Sequence, residues 1–355
     1  MKSLYQSFKF NGESTMKHIK VLGIDLAKNV FQLHGNDAEG KCILRKRLNR
    51  PQLIEFVANM QPCLIGLEAC TGSHHWARRF EQMGHTVKTM APQFVKPYVR
   101  SNKNDRNDAR AIAEAVTRPD MKYVSIKTID QQDVLLLHRV RALIMKQRTA
   151  QANQIRGLLA EYGVVIPKGI EHLENLAEIL EDNKENLSVQ SQVIFEELHE
   201  RFKTYNNQIA VYDKKIAVLA NQDARCQAIM EIEGVGPLTA SAIVATLGEA
   251  NTFKNGREVS AWLGLVPKQH SSGNTLRLSG ISKRGDRYVR TLLIHGARSV
   301  VNMCKKKTDK RSLWIANKKH RCGYNKAAVA VANKNARIIW AMLASGECYR
   351  KQTSH

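Results

Sequence analysis

The sequence predicts an α/β domain followed by a long, mainly helical region. Three observations carry that prediction. Short β-prone runs open the chain, and strands and helices then alternate. Further on, an apolar heptad runs uninterrupted through three repeats. The charge is uneven: residues 1–120 hold 19 Lys and Arg against 11 Asp and Glu, residues 121–225 hold 14 of each, and residues 226–355 hold 22 against 7. Two basic ends flank a neutral middle, which divides the chain better than any linker does. The expected division is a disordered leader over 1–17 (Met16 offers an alternative start), an α/β domain over 18–125, a helical spacer over 126–225, a basic helical domain over 226–345 and a tail over 346–355.

The first domain is read from its punctuation. Runs over 20–26, 30–35 and 42–48 are strands, and Asn36-Asp37 and Glu39-Gly40 mark the turn between the second and third. Pro51 opens a helix whose apolar face is Leu53, Phe56, Val57 and Met60. The apolar run 64–67 is a strand ending at Glu68, and a helix through Trp76 and Phe80 ends at Gly84. A strand over 86–90 stops at Pro92, and Asn104-Asp105 starts a helix running to about Val116. The order β-β-β-α-β-α-β-α matches an RNase H-like core, in which the first and fourth strands lie side by side at the sheet centre.

That arrangement gives four carboxylates a common destination. Asp25 lies inside an apolar strand, where an ionised carboxylate costs several kcal/mol unless something offsets it. Glu68 ends the neighbouring strand. Asp105 and Asp108 are three apart and share one face of the last helix. Asp105, Asp108 and Glu68 each have a plain reading alone, as an N-cap, a solvated helix pair or an exposed strand end; for Asp25 the plain reading leaves a buried charge unpaired. All four at the positions one site needs argue for a metal centre, and an oxygen-only donor set favours Mg²⁺ or Mn²⁺. Lys103, Arg106 and Arg110 surround them, either to hold phosphates or as a solvated basic face.

In the spacer, residues 130–162 read as a helix and 188–222 as a second. Leu198, Phe202, Tyr205, Ile209, Tyr212, Ile216 and Leu219 recur with gaps of 4 and 3, the seam of a coiled coil. It closes within one chain as a hairpin or between chains as a dimer.

The basic domain opens with a helix-hairpin-helix around Gly234-Val235-Gly236-Pro237, whose backbone amides suit a phosphate. A tight turn using glycine for geometry alone is the plainer alternative. After Pro267 a polar segment reads as a flexible loop, Lys268 to Thr275, containing Ser271-Ser272-Gly273. Arg277, Lys283, Arg284, Arg287 and Arg290 follow. A serine among cations is equipped for phosphoryl transfer, because they stabilise the charge of its transition state. A last helix over 325–343 closes the core with an Ala/Val-rich face.

The net charge of +23 points to a polyanionic partner, most often nucleic acid. Seven cysteines without a C-x-x-C pair argue against a zinc site or a disulfide framework and fit a reducing, cytoplasmic setting. No run approaches the roughly 18 apolar residues of a membrane span.

These residues carry a resemblance. Gly23-Ile24-Asp25-Leu26-Ala27-Lys28, Leu67-Glu68-Ala69-Cys70-Thr71-Gly72 and Lys103-Asn104-Asp105-Arg106-Asn107-Asp108-Ala109 resemble the DEDD domain of IS110-family transposases. Gly234-Val235-Gly236-Pro237, Gly264-Leu265-Val266-Pro267, Ser272-Gly273 and Ser282-Lys283-Arg284-Gly285 resemble that family's C-terminal transposase domain. The resemblance spans roughly residues 20–345. It implies a RuvC-like domain in which Asp25, Glu68, Asp105 and Asp108 bind Mg²⁺. It implies that Ser272, favoured over Ser271 by its pairing with Gly273, attacks a DNA phosphate and forms a phosphoserine link. It further implies an active site composed across the subunits of a dimer or tetramer, action at the bacterial nucleoid, and an element-encoded structured RNA that chooses donor and target DNA. The competing expectations are a RuvC-like nuclease using water and a non-enzymatic nucleic-acid-binding regulator.

Overall fold

The computed structural model describes residues 18–99, 105–273 and 275–350, and of Asp105 the backbone alone. The expected leader, Lys103 and the end of the expected tail (351–355) lie outside the described residues. The chain divides into two compact units, one ending at Lys127 and the next beginning at Thr128.

The first unit is built on a six-stranded sheet of order β3-β2-β1-β4-β5-β6. Its strands are β1 (Val21–Asp25), β2 (Val30–Asn36), β3 (Cys42–Asn49), β4 (Leu64–Glu68), β5 (Thr86–Met90) and the short β6 (Tyr123–Val124). The first three meander antiparallel, whereas β1, β4 and β5 run parallel. The first and fourth strands are therefore central neighbours, as expected. The helices are α1 (Arg50–Ala58), α2 (Ser73–Gln82), α3 (Pro92–Val95) and α4 (Asp105–Ala115). Asn49 caps α1 reciprocally with Gln52, each side chain accepting from the other's backbone N–H at 3.0 Å.

Alternation along the central strands separates two faces. Leu22, Ile24, Ile65 and Leu67 are buried on one face, with Leu53, Phe56, Trp76 and Phe80 from α1 and α2. Gly23 and Gly66 lie on the other face, and α4 covers it. A Cβ on Gly23 would come within 2.5 Å of the Ala113 nitrogen, and one on Gly66 within 2.9 Å of the Val116 Cβ. Gly23 leaves room for the helix backbone, and Gly66 for the Ile112 and Val116 side chains.

The second unit begins with two long helices, α5 (Ile129–Ala160) and α7 (Val189–Gln222), joined through the short α6 (Leu176–Asp182). They pack on each other antiparallel: Arg141 pairs with Asp213, and Arg148 Nη1 donates to Asn206 Oδ1 at 3.2 Å. Leu198, Phe202, Ile209 and Ile216 of the heptad are buried. The seam thus closes against α5 of the same chain.

The basic region shares this unit. Its helices are α8 (Ala224–Met230), α9 (Pro237–Leu247), α10 (Gly256–Trp262), α11 (Arg287–Met303), α12 (Lys310–Cys322) and α13 (Tyr324–Ser345). Its core gathers Ile243, Val259, Leu293, Ile315, Val331 and Ile339. The long helices are tied in by buried His138 of α5, whose ring nitrogens lie 3.0 Å from Tyr288 Oη and 3.0 Å from Ser241 Oγ. Burial holds the His138 imidazole down at about 4. The segment expected to be a flexible loop is a hairpin, β7 (Pro267–Ser272) with β8 (Thr275–Ile281). Among the described residues no helix is long and apolar enough to cross a membrane.

Candidate active site

Asp25 and Glu68 are the last residues of β1 and β4 and follow directly on the paired Ile24 and Leu67. Adjacent strands are about 4.8 Å apart, so the two carboxylates are neighbours on one face. Each stands two residues beyond a glycine that seats α4, so both lie on the face that α4 covers. Asp108 sits in the first turns of that helix, beside Ala109, whose carbonyl meets Gly23.

The electrostatics record the proximity. Burial first, then Glu68 and Asp25, push the nearby Cys70 thiol above its ordinary range. Cys70 also spans the two strand ends, with its Sγ 4.0 Å from the Leu26 carbonyl oxygen. Asp25 is half-buried at a strand end, so it escapes the full desolvation cost expected for an Asp inside an apolar strand. Two adjacent carboxylates still repel, and a hard divalent cation suits such a donor set. Among the described residues no three His, Cys, Asp or Glu groups are gathered closely enough to hold a metal. The Asp105 side chain lies outside them. Arg106 and Arg110 are exposed on α4. His34, opposite Gly23 on β2, is held at about 4 by burial and then by Arg45 and Arg110.

Ser272 is the last residue of β7, paired with Thr275, and is exposed. The two glycine motifs on either side of the hairpin form its foot. Ser282 N–H donates to the Val266 carbonyl at 2.7 Å and Lys283 N–H to the Gly264 carbonyl at 3.1 Å. A Cβ on Gly264 would meet the Arg284 nitrogen at 2.5 Å, and one on Gly285 would strike the Trp262 carbonyl. Lys283 adopts φ +55°, a left-handed conformation that costs a lysine energy.

The other expected contacts divide. Arg277, Lys283, Arg284 and Arg287 are exposed. Arg290 is buried: its Nη1 donates to the Leu263 and Arg284 carbonyls, both at 2.9 Å, so it pins the foot instead of facing solvent. Gly234 packs against Gly296 of α11, its Cβ position 2.8 Å from the Gly296 oxygen, so its smallness serves helix approach. The space around Gly236 is open. Sequence reading missed the seats at Gly23 and Gly66, although each precedes a carboxylate by two residues.

A family model described as a transposase, the DEDD type of IS110 elements, matches residues 22–164. A second, described as the transposase IS116/IS110/IS902 family, matches residues 226–312. A probable family 20 transposase of Pseudomonas aeruginosa is 46% identical over 331 residues, 93% of this chain and 98% of that protein. The transposase for insertion sequence element IS1111A of Coxiella burnetii is 46% identical over 337 residues, 95% of this chain and 93% of that protein. The transposase for element IS1328 of Yersinia enterocolitica is 37% identical over 336 residues, 95% of this chain and all of that protein. With relatives this similar along nearly its whole length, the chain belongs to the IS110 family of insertion-sequence transposases, enzymes that cut and rejoin DNA.

Proposed function

We propose that this transposase cuts and rejoins DNA through an RNase H/RuvC-like carboxylate site and a serine nucleophile. The observation that carries the reading is the placement of Asp25 and Glu68 at the ends of adjacent parallel strands, on the face covered by the helix bearing Asp105 and Asp108. Those four residues would hold a divalent cation, Mg²⁺ or Mn²⁺, which when bound would neutralise charge on the attacked phosphate and acidify a bound hydroxyl. Ser272 Oγ forms the new bond to phosphorus as the phosphodiester's leaving oxygen departs and takes up a proton. The phosphoserine ester retains the bond energy, and a strand hydroxyl later displaces the serine and restores a phosphodiester. That sequence favours rejoining over hydrolysis. Exposed Arg277, Lys283, Arg284 and Arg287 near the hairpin supply phosphate contacts. A structured RNA from the element and a homo-oligomer belong to the same reading, as do three functional regions divided near residues 125 and 225.

The test is a covalent-adduct experiment on the protein expressed with its complete element and a target. DNA attached to denatured wild type, and absent with Ser272→Ala and with Asp25→Ala, is the expected result. Joined DNA that persists in Ser272→Ala without an adduct sinks the serine step. It would leave the carboxylates acting with water or a strand hydroxyl.

A further inference from the structure

The second unit contains a groove of about 1420 Å³ that the carboxylate and serine chemistry does not use. One wall is the lower part of β8, including Leu278 and Ile281, and another is the outward face of α13. Five cations line it: Arg257, Lys318, Lys326, Lys334 and Arg337. No Asp or Glu does so among the described residues. Nearby, Glu233 engages Lys307 and Arg311.

Lys334 shows what such a lining lacks. It is half-buried, and its ammonium lies 4.6 Å from the centre of the Trp314 ring. Burial first, then Arg311 and Arg337, hold it below the ordinary lysine range. A partly desolvated cation beside like charges is stabilised by an incoming anion. The groove exceeds the roughly 300–1,000 Å³ of small-ligand pockets, so an extended ligand suits it better than a small one. Cations spaced along a groove with an aromatic wall are how proteins track an unpaired polynucleotide, phosphates on the charges and bases on the rings.

We propose that this groove binds a single-stranded stretch of nucleic acid, its phosphates held by Lys326, Lys334 and Arg337 and a base stacked at Trp314. The strand then runs beside the hairpin that carries Ser272. The groove does not depend on the serine or carboxylate chemistry, and the test keeps the two apart.

The experiment measures binding of the full chain to labelled oligo-dT, oligo-U and a duplex, each about 12 nucleotides long, by fluorescence anisotropy over a salt series. Lys326→Ala/Arg337→Ala removes two exposed charges. Lys214→Ala/Lys215→Ala on α7 removes two others as the control. The groove pair should weaken single-strand binding about tenfold and lower the salt slope by about 1.4, against about twofold or less for the control. Trp314→Leu should weaken it and Trp314→Phe should restore most of it, because a ring is what stacks. Loss on oligo-dT alone or oligo-U alone identifies the strand as DNA or RNA, and either supports the groove. Single-strand binding equal to wild type in the groove pair, or a loss no greater than the control's, overturns the proposal. An equal loss on the duplex does so too.

Discussion

Asp25 and Glu68 end two central strands, under a helix seated on Gly23 and Gly66. Each described residue from Pro267 to Gly280, around Ser272, is exposed. The carboxylates inherit their geometry from the core of the first unit. The serine has no core around it and depends on the joint at Gly264 and Gly285. Perturbing the glycine seats of the first region should therefore cost stability and chemistry together, whereas a carboxylate change that keeps its shape should cost chemistry alone. Changes on the hairpin should cost chemistry alone.

The sharpest test of that contrast is Asp25→Asn. It keeps shape and removes one charge, and should reduce strand cutting by about a thousandfold, several kcal/mol of barrier, with little change in the unfolding midpoint. A midpoint that collapses as well would mean that the carboxylate is part of the scaffold. Gly23→Ala comes next. Its Cβ has no room against Ala109 and Ala113, and it should destabilise the first unit by about 3 kcal/mol in denaturant titrations. A cost below about 1 kcal/mol would show that α4 can lift, and the tight seat would lose its importance.

Acid acts on both units. His34 and His138 are each held at about 4 by burial, against an ordinary value of 6.5. Both are neutral when folded and take up a proton more readily when unfolded. Their contribution is complete above about pH 6.5 and fades as the pH falls towards 4, by about 2 kcal/mol each at pH 5. Unfolding midpoints between pH 7 and pH 5 should fall, and His138→Gln should flatten the fall for the second unit alone. The smallest effect belongs to the hairpin: Gly280→Ala meets nothing within 4 Å and should change stability by less than about 0.5 kcal/mol. A larger loss would mean that the hairpin is packed after all.

What was legible in the sequence followed periodicity. Alternation and turn residues gave the strands that make Asp25 and Glu68 neighbours, and the 4-3 spacing gave α7 and its buried seam. Two kinds of feature were hidden. The hairpin carries no buried side chain to impose alternation on β7 and β8, so Ser271-Ser272-Gly273 reads like a linker although backbone pairing orders it. Arg290 stands one turn beyond Arg287 and reads as part of the same solvent-facing pair. Its burial follows from the carbonyls of Leu263 and Arg284, contributed from outside its own helix. Local pattern carries no trace of such partners, just as a glycine in a strand does not name the helix it admits.

The foot of the hairpin also sets how accurately Ser272 can be aimed. Six residues from Pro267 to Ser272 extend roughly 20 Å at about 3.3 Å each. At the end of an arm that long, a tilt of about 10° at the base carries the hydroxyl roughly 3 Å sideways, the full reach of a hydrogen bond. The interlocked backbones at Gly264 and Gly285 act as the bearing of a lever, and any looseness there is magnified at the tip.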